Sequence, residues 1–455
     1  MSAARQTRQM KLGAFLMTDG HHVAAWRHPR SRPDAGVSIE HFIELATLAE
    51  RAKFDAVFLA DSVGVRDRNI DSLSHTSRAV SFEPLTLLSA LSVVTKRIGL
   101  IATASTSFNE PFNIARKFAS LDLLSHGRAG WNLVTSSTDS EALNFNYDQH
   151  LAHADRYERA LEFADVVTGL WNTWEDDAFV RDQASGVFFA PDKLHVLNHR
   201  GKHFKVRGPL NVARSPQGHP VIVQAGASEP GKELAASTAE AIFTAQLTLA
   251  DAQAFYADVK GRLEKYGRDP DHLKIMPGVF PVVGRTEAEA REKFEELQSR
   301  IHPAVGLALL SGNLGGVDLS GYPLDGPLPD LPETNGPKSR QKLVIDLARR
   351  ENLTIRQLYL SIAGARGHWQ VVGTAAQIAD QLEERFLKGG ADGFNVMAPY
   401  LPGGLQDFVD HVIPELRRRG LFRSEYEGAT LRENLGLPFP AHKRRKAGPY
   451  IVAAE

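Results

Sequence analysis

The chain has 455 residues, of which 43% are hydrophobic and 24% charged, with 53 Lys and Arg against 54 Asp and Glu. This is globular usage with enough apolar side chain for one large core, which excludes disordered and collagen-like classes, and a net charge of −1 gives no electrostatic footprint for nucleic acid or an anionic membrane. Zero cysteines exclude disulfides, thiolate metal centres and cysteine nucleophiles, so any electrons the chain handles must arrive on a cofactor. No run approaches the roughly 18 apolar residues of a membrane helix, and the opening MSAARQTRQMK lacks the apolar core of a signal peptide. A cytoplasmic enzyme acting on a small molecule is expected.

Taken in chain order, strand-like runs fall at Met10–Leu16, Ala56–Asp61, Ile98–Ser105, Ala129–Thr135, Val221–Gly226, Ala241–Ala245, Ile275–Val283 and Gly393–Ala398. Helical patterns alternate with them at Ser38–Phe54, Glu83–Lys96, Pro111–Leu124, Ala154–Trp174, Gly231–Glu240, Leu249–Tyr266, Ala288–Ile301 and Gln406–Arg419. Capping boxes are expected at Thr286/Glu289, Thr354/Gln357 and Thr374/Gln377, where each side chain satisfies the other's orphan amide. Eight βα pairs predict an α/β fold of the TIM (β/α)8 barrel type, as a single unit over residues 10–420 rather than the three domains that length alone would give.

Two stretches exceed what a barrel needs. The first, residues 175–220, follows the fourth helix and contains the hairpin-like text HVLNHRGKHFKVRGPLNV. Its His195, His199 and His203 would share a face only in a helix; the alternation around Gly201 predicts a hairpin that does not converge them on one ion, and no metal centre is expected. The second, residues 302–388, separates the seventh and eighth strands. Within it, 11 of the 28 residues of Ser311–Lys338 are Gly or Pro, against 61 in the whole chain, so this piece reads as a structureless loop and a candidate lid. Residues 421–455 form a C-terminal extension ending in the basic run Lys443–Lys446.

Active sites of barrels form where strands end, and these strand ends are polar. The first runs into His21, His22 and Trp26, which could line a pocket or simply form a surface loop. Asp61 closes the second strand, where it could accept a hydrogen bond from a ligand or cap the next turn. Thr103 ends the third among small residues that suit a planar ring. Asn132 alternates with Leu133 on the fourth and so faces into the barrel, where an unsatisfied amide costs about 1–3 kcal/mol; donor and acceptor together match the imide edge of a flavin. His153 and Tyr157 fall at i, i+4 on the helix opening HADRYERALEF. After the fifth strand, Ala227-Ser228-Glu229-Pro230-Gly231 leads into a helix whose first amides could hold a phosphate, provided the Glu229 side chain turns outward.

Several strings together resemble the bacterial luciferase-like flavin-dependent monooxygenases, in the branch of nitrilotriacetate, dibenzothiophene sulfone and long-chain alkane monooxygenases. They are GHHVAAWRHP, FDAVFLAD, EPLTLLSALSVVTKRIGL, ATASTSFNEPFNIARKFASLD, GRAGWNLVTS, HADRYERALEF, HRGKHFKVRGPLNVARSPQGHPVIVQAGASEPG, GTAAQIADQL with GGADGFNV, and SEYEGATLRENLGLP. Their order covers nearly the whole chain. The resemblance implies a TIM barrel that takes reduced FMN (FMNH2) from a separate NADH:FMN reductase and uses O2, through a flavin hydroperoxide, to oxygenate a small organic substrate. It implies flavin contacts from Asp61, Thr103, Asn132, His153 and Tyr157, phosphate contacts from Ala227 and Ser228, and His21, His22 and Trp26 on the substrate side. A homo-oligomer without nucleic-acid or membrane partners is expected. A flavin-binding barrel that does not oxygenate and a deazaflavin-dependent oxidoreductase remain as alternatives. For the substrate, Arg27 is the one obvious cation near the first loop, and the apolar lid text favours a neutral or apolar molecule.

Overall fold

Alternation along the strands decides which side chains enter the barrel and which meet the helices. The computed structural model describes residues 8–65, 69–136, 139–331, 338–365 and 367–442. β1 (Lys11–Leu16), β2 (Ala56–Leu59), β3 (Gly99–Ser105) and β4 (Ala129–Val134) run parallel in chain order, with Phe15 beside Phe58, Phe58 beside Ile101, and Thr103 beside Asn132. After a hairpin of β5 (His199–Arg200) and β6 (Lys205–Val206) come β7 (Val221–Gln224), β8 (Ala241–Thr244), β9 (Lys274–Gly284), β10 (Trp369–Thr374) and β11 (Gly393–Val396). β4 pairs with β7, β7 with β8, β8 with β9, β9 with β11, and β11 with β1, which closes an eight-strand parallel barrel.

Paired residues of a parallel sheet share a face, so Phe15, Phe58, Ile101, Val223 and Ala241 gather inside. Leu12, Ala14, Leu16, Val57, Leu59, Leu100, Ala102, Trp131 and Leu133 point out and pack under the helices. Burying such side chains is worth roughly 1.5–3 kcal/mol each and drives closure.

The eight expected strands all form. β10 was not expected. It pairs only with Val279–Gly284, the second half of the eleven-residue β9, and so lies outside the closed ring. Its text, WQVVGT, is as long as β1 and β4, but Gln370 leaves it only two consecutive aliphatic residues to mark it. The stretch 302–388 also holds helices at Pro303–Asn313, Lys338–Arg350, Ile355–Ala363 and Ala375–Leu387. Capping boxes at Thr354/Gln357 and Thr374/Gln377 are reciprocal, whereas at Thr286 the Glu289 carboxylate bonds the Arg285 amide and guanidinium instead.

The described part of the Gly/Pro-rich loop is irregular yet packed: Leu314, Leu319, Leu324, Leu328 and Leu331 join an apolar cluster with those helices and with Val23 and Ala24 of the first loop. Residues 332–337 of the expected lid, and the basic run Lys443–Lys446, lie outside the described residues.

The C-terminal segment plugs the barrel's lower end. The helix Leu431–Leu435 starts with a reciprocal capping box at Thr430/Glu433 and puts Leu431 and Leu435 into the interior cluster. A Cβ on Gly99 would come within 2.4 Å of a Leu431 methyl, and one on Gly130 within 3.4 Å, so glycine at these two strand starts makes room for the plug. Arg432, buried, pairs with Glu240, and Gln217 and Ser215 bond Asp122 beside it, so the lower face is tied by a satisfied polar network. No helix among the described residues is long and apolar enough to cross a membrane.

Candidate active site

At the upper end of the strands a cavity of about 420 Å³ opens, lined by side chains from β1 to β4, β7 and β8 and from segments that follow them. That size is within the range of small-molecule sites. Its base is aromatic: Phe15 meets Phe58 and Phe243 edge-on, at 4.8 and 5.3 Å between ring centres. Its wall carries Asp61, Thr103, Asn132, Glu141, Tyr157 and Gln224.

Thr103 and Asn132 are coupled. The Thr103 hydroxyl donates to the Leu59 carbonyl (2.7 Å), so its oxygen lone pair accepts from the Asn132 amide nitrogen (2.8 Å). Asn132 is 3% exposed, and its Oδ1 is buried without a hydrogen-bond partner. The donor half of the amide is spent on protein, and the acceptor half is left for a ligand N–H at the cavity wall.

The turn after β7 is built for close approach. A Cβ on Gly226 would sit 3.0 Å from the Gly231 Cα, and one on Gly231 would sit 3.1 Å from the Gly226 Cα and 3.2 Å from the Tyr157 hydroxyl. Both glycines line the cavity. Ser228 caps the helix Glu229–Thr238 by accepting from the Gly231 amide (3.2 Å), and its hydroxyl donates to Tyr157 (3.3 Å). The cap uses the Gly231 amide that the sequence offered as an anion donor, and the first-turn amides of Ser228 and Glu229 remain for that role. Glu229 turns outward as required: its carboxylate pairs with Lys232 and, at 2.6 Å, with Arg262. Ala227 lies between Gly226 and the cap.

Tyr157 stands in the second turn of the helix His153–Trp171, which begins at the cavity. The side chain of His153 lies outside the described residues. Asp61, Thr103, Asn132 and Tyr157 are thus brought together, with Ser228 attached through Tyr157.

The first loop arranges its residues differently. Its chain pairs with the segment after β11, His21 and His22 donating from their amides to Ala398 and Pro399 (3.0 and 3.1 Å). His21 is buried behind Phe15, its ring edge-on with 4.4 Å between ring centres and Nε2 at 2.9 Å from the Phe15 carbonyl. His22 is spent structurally: Nδ1 accepts from the Ala24 amide (3.1 Å), which leaves Nε2 protonated to donate to Gln298 (2.9 Å). Burial pushes its pKa down to about 4, so the ring is neutral. Trp26 donates to the His75 carbonyl (3.2 Å). Neither His21, His22 nor Trp26 forms part of the cavity wall described above. An adjacent-histidine motif carries no sign of which partners will satisfy its rings, and here backbone and Gln298 do so.

Sequence reading missed Glu141, which is 3% exposed and accepts from Ser62 (3.0 Å), and Gln224, whose amide donates to Thr238 (2.8 Å). Gln224 ends a strand and was detectable by the strand-end rule; Glu141 sits in aperiodic text without a signal.

The model of the family described as luciferase-like monooxygenase matches residues 10–393. The chain is 56% identical to the N-acetyl-S-(2-succino)cysteine monooxygenase of Bacillus subtilis (strain 168), over 96% of this chain and 99% of that protein. The chain belongs to the luciferase-like monooxygenase family. It is also 52% identical to the nitrilotriacetate monooxygenase component A of Aminobacter aminovorans, over 96% and 99% of the two chains. The crystal structure of DmoA from Hyphomicrobium sulfonivorans superimposes with a TM-score of 0.85 at 35% identity, over 94% of this chain and 92% of that one. This luciferase-like monooxygenase is flavin-dependent and of the two-component type, which takes reduced FMN from a separate reductase.

Proposed function

We propose that this monooxygenase holds reduced FMN in the cavity at the barrel mouth and oxygenates a small molecule that carries carboxylates. The observation that carries the cofactor's placement is the buried, partnerless Asn132 Oδ1, an acceptor suited to the imide N–H of the ring. Thr103 orients that amide, Asp61 and Tyr157 flank the ring and its side chain, and Ala227 with Ser228 receives the phosphate where the two glycines leave space. FMN, when bound, supplies the electrons and the reaction with O2. The protein binds and orients it, and the aromatic base under the ring keeps water out.

For the substrate, the fold adds cations to Arg27 that its sequence neighbourhood did not show. Arg78 donates to the His21 carbonyl (2.9 Å), and Arg300 and Arg27 each donate to the other's carbonyl. Arg300 is also paired with Glu296 at 2.6 Å, so the guanidiniums of Arg27 and Arg78 are the ones that favour an anionic molecule over the neutral one that the lid text favoured. The relatives above 50% identity are named for N-acetyl-S-(2-succino)cysteine and nitrilotriacetate, both polycarboxylates. We place the enzyme in the cytoplasm, with NADH and its reductase.

The test is a substrate panel with FMN, NADH and a flavin reductase. Polycarboxylate thioethers and amines are expected to be oxygenated, and only when the reductase is present. Turnover with NADH alone would refute the two-component reading at this site. A preference for sulfones or alkanes, unaffected by Arg27→Ala, would refute the substrate class.

A further inference from the structure

At the barrel's lower end, three ligand-type side chains from distant parts of the sequence meet. Glu175 and His195 face each other across a short antiparallel bridge, Trp174 to Leu194, fixed by backbone bonds from Glu175 to Lys193 (3.2 Å) and from His195 to Thr173 (2.8 Å). Glu175 Oε1 lies 2.8 Å from His195 Nε2. His442 arrives from the C-terminal segment, its ring centre 5.2 Å from that of His195. One ligand atom from each of the three lies within 4.8 Å of the others. We propose that Glu175, His195 and His442 form a binding site for one divalent transition-metal cation of the zinc class, which latches the C-terminal segment onto the excursion that follows the fourth barrel helix.

The chemistry of each donor fits. His442 Nε2 lies 2.8 Å from the Asn172 carbonyl, which can only accept, so Nε2 carries the hydrogen and Nδ1 bears the lone pair. An imidazole held by N–H to a backbone carbonyl is the usual arrangement of a metal-ligating histidine. His195 and Glu175 lie at a separation that a cation bridging them would need to widen only slightly. Two imidazoles and a carboxylate suit zinc over magnesium or calcium, and their side chains, 16% and 17% exposed for His195 and Glu175, leave water access for a fourth ligand.

The surrounding charge tolerates a cation. Arg214 faces His442, but its guanidinium is paired with Asp176 at 2.8 Å and bonded to Asn172 Oδ1 at 2.6 Å, so Glu175 supplies the net negative charge. Lys193 nearby is paired with Asp177. His199, by contrast, is taken by Glu162 at 3.0 Å, and the three histidines of the hairpin text do not converge, as their alternation predicted. The fifteen residues of helix from Tyr157 to Trp171 put this site roughly 20 Å from the cavity, so it bears on folding rather than on turnover.

The experiment uses the full chain, stripped with a chelator and titrated with Zn²⁺ against a competing chromophoric dye. One Zn²⁺ per chain is expected, with binding weakened at least tenfold in both His195→Ala and His442→Ala and unchanged in His199→Ala. X-ray absorption of the zinc-loaded wild type, independent of any variant, should show two imidazole ligands. No uptake, uptake in either of these two histidine variants as tight as in wild type, or a spectrum without imidazole would overturn the site.

Discussion

Thr103 and Asn132 stand side by side on β3 and β4, and the 2.8 Å bond between them decides which half of the amide the cavity receives. Because Thr103 is itself anchored to the Leu59 carbonyl, the amide is held with its oxygen unpartnered. A ligand N–H that bonds this oxygen recovers the cost of burying it, about 1–3 kcal/mol. Asn132→Ala should therefore weaken FMN binding by about 10- to 100-fold, and Thr103→Val, which only frees the amide to turn, by less. Titration of FMN followed by flavin fluorescence checks both. Equal affinity in wild type and Asn132→Ala would remove the amide from the cofactor's site.

The Gly226 and Gly231 pair makes a separable prediction. Gly231→Ala forces its Cβ against the Gly226 backbone and the Tyr157 hydroxyl, which opens the turn that would receive the phosphate. FMN affinity should fall by about tenfold, the worth of one charge-assisted hydrogen bond, while riboflavin affinity stays where it was. Parallel titrations with the two flavins distinguish loss of a phosphate site from general damage.

His22 links the first loop to pH. Its pKa in the folded chain is depressed to about 4 by burial, against an ordinary value of 6.5. Below pH 6.5 the unfolded chain takes up a proton that the folded chain refuses, so stability is full above that pH, falls as pH drops toward 4, and is level below it. The full loss is about 3 kcal/mol by linkage. His22→Gln should remove most of this slope, visible as a melting-temperature difference between variant and wild type that shifts in the variant's favour as pH falls from 7 to 5. His219, also lowered to about 4, contributes in the same direction, and Asp122, raised to about 6 by burial, in the opposite one.

Leu431 tests the plug. Its side chain is fully buried against Gly99 and Gly130 inside the barrel. Leu431→Ala leaves a cavity there and should cost about 2–5 kcal/mol in urea unfolding. A midpoint unchanged from wild type would show that the C-terminal segment covers the barrel without stabilising it.

The amino-acid sequence by itself determined the eight barrel strands, since short apolar β-rich runs set between segments of helical period 3.6 are local features of the chain. It also pointed to Thr103, Asn132 and Tyr157, which the fold brings to one cavity, because a polar side chain at a strand end or on an inward face has few places to go. Tertiary structure alone decided three other matters. His22 and Trp26 were drawn to Gln298 and the His75 carbonyl, because a buried polar ring bonds whatever neighbour the fold supplies and no spacing encodes that neighbour. β10 formed because β9 was long enough to offer it an edge, a fact that lies some ninety residues away from WQVVGT. Arg78 and Arg300 joined Arg27, and His442 joined His195, only when the barrel closed, since charge and ligand clusters depend on distances in space that hydrophobic periodicity does not carry.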